Sequence, residues 1–166
     1  AASDVYKRQD YSTHDIWFGI EQEYTLFKKG VPLGFHERGA AAMRPQGPYY
    51  CSVGHGNAVG REFVEEHLDA CLAAGLRVGG VNAEVMPGQW EFQIGPVAAP
   101  RVADELWIAR WLLSRIAENY DVTVPLAAKP VPGDWNGAGA HTNFSTNQMR
   151  ENYEACVAAA EALGTC

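Results

Sequence analysis

The sequence predicts an α+β domain, a mixed, largely antiparallel sheet with helices packed on one side. Three observations predict it. The stretches Phe18 to Leu26 and Gln89 to Ile94 alternate with a period of two, and Pro87-Gly88 interrupts the chain as a hairpin turn would. Two segments between Val59 and Tyr120 carry apolar residues at three- and four-residue spacing. These elements alternate irregularly, without repeats, as in a sheet whose helices are segregated to one face.

In chain order, Ile16 to Phe27 is aromatic and β-branched. Phe18, Ile20, Tyr24 and Leu26 fall on one parity and Gly19, Glu21, Glu23 and Thr25 on the other, a strand with two carboxylates on one face. Gly30 to Gln46 is rich in Gly, Pro and Ala without a period and reads as a long surface loop. From Val59 to Ala74, Phe63, Val64, His67, Leu68, Cys71 and Leu72 form the apolar stripe of a helix that Gly75 ends. Leu76 to Met86 and Gln89 to Ile94 are the arms of a hairpin, with Glu91 on the polar face of the second. Val102 to Tyr120 is a second helix, Val122 to Leu126 a short strand, and Asn147 to Leu163 an Ala-rich helix.

At 166 residues the chain is one domain or part of one. Hydrophobic residues at 47% and charged residues at 20% suffice for a packed core and exclude the composition of a disordered chain. A net charge of -7 has the wrong sign for phosphate backbones, so nucleic acid is not an expected partner. No stretch approaches the roughly 20 apolar residues of a membrane span, and no secretion signal opens the chain, so neither membrane nor export is expected. Cys51, Cys71, Cys156 and Cys166 are scattered without a Cys-x-x-Cys pair, which fits free thiols in a reducing compartment and gives no support to structural zinc. Residues 1-10 are expected to be a disordered leader and 11-166 the folded part, with both ends cut.

Glu21, Glu23, Glu84 and Glu91 fall on the polar faces or ends of segments that otherwise read as strands. Glutamate is depleted in strands, and like charges on one face repel unless something positive sits among them. Glu21 and Glu23 would stand about 6.5 Å apart on one face, at 3.3 Å rise per residue. A solvated strand face explains either one alone. The pair together with the hairpin carboxylates favours a divalent cation, which takes carboxylate oxygens and keeps waters for substrate phosphates. A second concentration runs from Lys129 to Ser145, where Gly137 and Gly139 allow close backbone approach and His141 is a candidate metal or phosphate ligand. By itself a glycine-rich loop of this kind is usually a turn, and it lacks the Walker Lys-Ser/Thr ending.

Three segments resemble motifs of the eukaryotic-type glutamine synthetases, in the right order and at suitable separations. They are Phe18-Gly19-Ile20-Glu21-Gln22-Glu23-Tyr24, the run from Asn82 to Gln93, and the pattern of Lys129, Pro130, Asn136, Gly137, Gly139, His141 and Ser145. The resemblance runs from about Trp17 to Arg150. It implies one metal on Glu23, Glu84 and Glu91 and a second on Glu21 and His141, bridging the ATP phosphates: two or more Mg2+ or Mn2+ ions in all. It implies a nucleotide pocket from Trp17, from Glu91, Phe92, Gln93, Ile94, Gly95 and Pro96, and from Asn143, Phe144 and Ser145. Trp135, Asn136 and Gly137 would face the amino-acid substrate, with Glu84 and Tyr49 as the catalytic pair near ammonium. The implied reaction is ATP-dependent ligation of ammonia to the γ-carboxylate of glutamate through γ-glutamyl phosphate, in a cytoplasmic homo-oligomer, a double ring.

Departures accompany the resemblance. Ala140 stands where the motif often has Cys, and Gly54-His55-Gly56-Asn57 differs from the commoner version. An N-terminal β-grasp domain, C-terminal phosphate-clamping arginines and a third carboxylate for the second metal are expected to lie outside this chain, and the piece alone is expected to be inactive. Two rival readings are a γ-glutamyl ligase acting on another amine and a non-catalytic structural relative.

Overall fold

The computed structural model describes residues 12–35, 44–54 and 56–165. Four strands make the main sheet: β1 (Trp17–Thr25), β4 (Val78–Ala83), β5 (Gln89–Ala98) and β6 (Ala140–Ser145), in the order β4-β5-β1-β6. Every described pairing is antiparallel. Two short strands, β2 (Phe27–Lys28) and β3 (Val31–Pro32), form a separate ribbon.

Parity sorts the sheet into two faces. On one, Tyr24, Trp90, Phe92 and Ile94 are buried beneath α1 (Arg61–Ala73) and α2 (Ala99–Tyr120). The stripe of α1 is Phe63, Val64, His67 and Cys71, and that of α2 is Val102, Ala109, Leu113, Ile116 and Ala117, at the three- and four-residue intervals of a helix face. At roughly 1.5–3 kcal/mol for each fully buried large side chain, this layer supplies most of the folding free energy. Gly75, at φ 77°, ends α1: its N–H bonds the carbonyl of Leu72, and Leu76 bonds back to Cys71. Pro100 sits in the first turn of α2, and Asp121, at φ 55°, ends it. The opposite face of the sheet holds the carboxylates.

Several elements differ from the sequence reading. Val122 to Leu126 is no strand: Thr123 alone pairs, exchanging hydrogen bonds of 2.9 and 2.8 Å with Phe27, and Pro125 lacks the N–H to extend the ladder. The Asn147 to Leu163 helix is broken into α3 (Asn147–Glu151) and α4 (Tyr153–Leu163). Asn152 is extended, and its side chain caps the second helix by accepting from Glu154 N at 2.9 Å, a local competitor to helix propagation. Gly30 to Gln46 begins with β3 and the buried Phe35, which packs with Met86 and Trp135, so part of the expected loop is structured. Residues 1–11, including the expected leader, lie outside the described residues, as do 36–43.

The register of β1 against β5 shifts between Phe18 and Ile20, and Gly95 fills the irregularity at φ +108°. A Cβ on Gly95 would lie 2.4 Å from the Phe18 carbonyl oxygen and 3.0 Å from Gly19 Cα, both backbone atoms that cannot swing away. Gly95→Ala is therefore expected to destabilise the protein by about 3 kcal/mol through strain and clash together. A thermal melt of the full-length variant superimposing on wild type would contradict this.

Candidate active site

Register builds the site. Across the antiparallel pairs Glu23 stands opposite Glu91, Glu21 opposite Gln93 on one side and His141 on the other, and Asn82 opposite Glu91. Glu84 follows β4 in the hairpin turn, where its N–H donates to Gln89 O at 2.9 Å. Carboxylate oxygens of Glu23, Glu84 and Glu91 thereby come within 4.8 Å of one another. Each is oriented by a donor. Gly139 N donates to Glu23 at 2.7 Å, Asn82 Nδ2 and Val85 N to Glu84 at 3.1 and 3.2 Å, and the Gln93 side-chain amide to Glu91. Gln93 is itself held by Asn82 Oδ1 at 2.7 Å.

No Lys or Arg forms an ion pair with this trio among the described residues. Burial and mutual repulsion both disfavour ionisation here. Burial, and then repulsion from Glu23 and Glu91, pushes the Glu84 carboxyl up to about 7. Burial likewise pushes Glu91 up, against the hydrogen bond from Gln93. Three converging carboxylates that repel one another are a donor set for a hard divalent cation, whose charge would remove the repulsion.

A second group adjoins the first. His141 Nδ1 lies 3.2 Å from Glu21 Oε2, and Asn143 Nδ2 donates to Glu21 Oε1 at 2.6 Å. These contacts, Asn143 foremost, hold the Glu21 carboxyl below its ordinary value, and Glu21 raises His141. Beside Glu21 opens a cleft of about 340 Å³ lined by Trp17, Phe18, Glu21, Gln93 to Pro96 and Asn143 to Ser145. Arg150 stacks over the Trp17 ring at 4.0 Å and donates to Ser145 Oγ at 3.0 Å.

A profile described as "Glutamine synthetase, catalytic domain" matches residues 1–161. The chain belongs to the glutamine synthetase family. It is 59% identical over 164 residues to "Glutamine synthetase" of Streptomyces viridochromogenes, covering 99% of this chain and 47% of that protein. It is 61% identical over 155 residues to "Glutamine synthetase" of Frankia alni, covering 93% and 44%. It is 51% identical over 168 residues to "Glutamine synthetase cytosolic isozyme 1-4" of Arabidopsis thaliana, covering 99% and 47%. The chain thus spans about half the length of these glutamine synthetases.

Most residues singled out by the glutamine synthetase motifs are brought together on the open sheet face. Phe92 is not. Its parity turns the ring to the helix side, 5.1 Å from His67 and 6.1 Å from Tyr24, so the Phe92 side chain belongs to the core and does not line the cleft. Trp135 packs against Phe35 at 4.8 Å with the rings tilted by 46°, and Gly137 O accepts from Gln89 Nε2 at 2.7 Å, which pins the Trp135 to Gly137 loop against the hairpin. Tyr49 is 5% exposed, whereas its neighbour Tyr50 is 61% exposed and close enough to Glu84 and Glu91 for them to add to Cys51 in raising its phenol. Tyr50 and the orienting residue Asn82 went unassigned from the sequence. Asn82 shares the parity of Glu84, which was the available signal.

Proposed function

We propose that the whole protein ligates ammonia to the γ-carboxylate of glutamate with ATP, through γ-glutamyl phosphate. The observation that carries this reading is the convergence of Glu23, Glu84 and Glu91 within 4.8 Å beside the Glu21–His141 pair. In this reading Glu23, Glu84 and Glu91 hold one Mg2+ or Mn2+ and Glu21 and His141 the second. When bound, such ions would screen the like-charged oxygens of nucleotide and glutamate during phosphoryl transfer. Trp17, Gln93, Ile94, Gly95, Pro96, Asn143, Phe144 and Ser145 seat the nucleotide, with Glu91 facing both nucleotide and metal. Trp135, Asn136 and Gly137 orient glutamate so that its γ-carboxylate attacks the terminal phosphorus of ATP and ADP leaves. Ammonia then attacks the acyl carbon and phosphate departs. Glu84 and Tyr49 border the ammonium, a placement supported by the bond from Cys51 N to Ala83 O at 2.9 Å, which ties the Tyr49 turn to the strand before Glu84.

Because the chain is about half as long as its relatives, the reaction belongs to the whole protein, and the 166-residue span alone is expected to be inactive. We assign the whole protein to the cytoplasm, as the name of the Arabidopsis thaliana relative supports, and to a homo-oligomer arranged as a double ring. Trp107, Ile108 and Trp111 stand exposed on α2, apolar surface that an assembly would cover. The deciding experiment is γ-glutamyl transfer by the full-length protein with ammonia, hydroxylamine and small amines compared. Ammonia as the preferred natural acceptor supports the reading. Preference for another amine would make it a related γ-glutamyl ligase, and metal binding without turnover a structural relative.

A further inference from the structure

Between the two glutamates of β1 that face the cleft, Gln22 points the other way and is 3% exposed beneath α2. Its Nε2 donates to Glu23 O at 2.7 Å and to Gly139 O at 3.3 Å. Its Oε1 accepts from Arg110 Nε of α2 at 2.9 Å and from a second Arg110 nitrogen. Guanidinium has no acceptor, so Arg110 fixes which end of the amide faces which partner: oxygen to the helix, nitrogen to the sheet. The Gly139 carbonyl that receives Gln22 also receives Glu23 N at 3.0 Å, and the Gly139 N–H donates to the Glu23 carboxylate at 2.7 Å. One glycine residue is thus clasped at its carbonyl by Gln22 while its N–H, in the preceding peptide group, aims Glu23.

We infer that Gln22 and Arg110 are positioning residues for Glu23, a brace running from α2 through the sheet to the carboxylate trio. The inference rests on the reading of that trio as a metal site. Buried polar groups are costly unless satisfied, and the geometry that satisfies both ends of the Gln22 amide is the one that presents the Gly139 N–H to Glu23. Outer groups that orient a ligand typically govern metal affinity by 10- to 100-fold. Arg110 also lies over the Trp107 ring, its guanidinium carbon 5.6 Å from the centroid, a contact that restricts the side chain that grips Gln22.

Gln22→Glu separates this role from packing. It keeps the volume and replaces the Arg110 contact by an ion pair, so a purely structural residue would change stability alone and leave metal binding unchanged. The brace predicts otherwise, because the donor to the Glu23 and Gly139 carbonyls becomes a repelling oxygen. Calorimetric titration of the full-length protein with Mn2+ alone should show the trio site weakened about tenfold in Gln22→Glu. The metal-free melt should fall as well, because two carbonyls lose their donor and face a carboxylate oxygen, so the titration is run well below it. In the ligase assay the apparent KM for metal should rise with kcat at saturating metal retained. Arg110→Met, which leaves Gln22 in place but frees its amide to turn, should weaken the same site. Wild-type Mn2+ affinity in Gln22→Glu and Arg110→Met would overturn the brace. Glu91→Ala serves as the control: if it too binds Mn2+ like wild type, the metal reading of the trio fails, and the brace with it.

Discussion

Glu91→Ala in the full-length protein is expected to weaken Mn2+ binding in the absence of nucleotide by about 100-fold or more, while Glu21→Ala chiefly weakens the binding that nucleotide adds. The magnitude follows from ligand count. Groups that merely orient a ligand are worth 10- to 100-fold, so one of three converging carboxylates should reach at least the upper end. The two mutants differ because Glu91 converges with Glu23 and Glu84, whereas Glu21 pairs with His141 and lines the cleft. Folding should not confuse the result. Glu91 is pushed up by burial and by its acidic neighbours, so its removal relieves repulsion, and Gln93 keeps its bond to Asn82 at 2.7 Å. The metal-free melt of Glu91→Ala should therefore match or exceed wild type above neutral pH. If these glutamates were a solvated strand face, both mutants would shift stability by no more than about 0.5 kcal/mol and leave Mn2+ binding untouched. Calorimetry with Mn2+, with and without a non-hydrolysable ATP analogue, distinguishes the two; equal and negligible losses would reject the cage.

How much of this arrangement was legible depended on period and on register. A period of two was enough to put Glu21 and Glu23 on one face and Glu91 on a polar face, because parity is a local property of a strand. The Pro87-Gly88 turn was enough to fold Glu84 back towards Glu91, since hairpin arms must pair. Register was not legible. That Glu21 meets His141 and Glu23 meets Glu91 depends on a β1–β6 pairing across more than a hundred residues and on the shift at Gly95, neither of which any local pattern encodes. Phe92 shows how a resemblance and parity can disagree: the motif run includes it, but alternation sends every second residue of that run into the core. Gln22 escaped for the opposite reason. It is a polar residue on the apolar parity of β1, next to Ile20 and Tyr24, and only the guanidinium arriving from α2 shows why a polar group is tolerated there. The Asn152 break in the last helix was readable in principle, since Asn is a strong capping residue, but the Ala-rich run around it carries a helical pattern on both sides.

Replacing His141 by Asn is expected to remove most ligase activity without unfolding the protein. The ring is 66% exposed and contributes nothing to the core, so the melt of the variant at pH 7.5 should match wild type. Its chemistry lies in the 3.2 Å approach to Glu21, which favours imidazolium and holds protonation above the ordinary 6.5. The sign follows. In the metal-free protein the imidazolium–carboxylate pair contributes stability that is fully present below 6.5 and is lost as pH rises through the raised value. A metal needs the neutral ring, so proton and cation compete for one lone pair, and affinity at this site must fall as pH drops. Between pH 7.5 and 5.5 the nucleotide-linked Mn2+ affinity of wild type should fall by more than about tenfold, the value for one proton displaced from an imidazole of ordinary basicity, because His141 holds its proton more tightly. In His141→Asn that part of the dependence should flatten. The trio site should keep its own loss of affinity in acid, because Glu84, pushed up to about 7, still takes up a proton there. Titrating both proteins with Mn2+ at the two pH values, with and without the nucleotide analogue, separates the two sites. A wild-type nucleotide-linked affinity that is flat across this range, or an Asn variant that binds metal normally, would take His141 out of the site and leave Glu21 alone, too few ligands to hold a second ion.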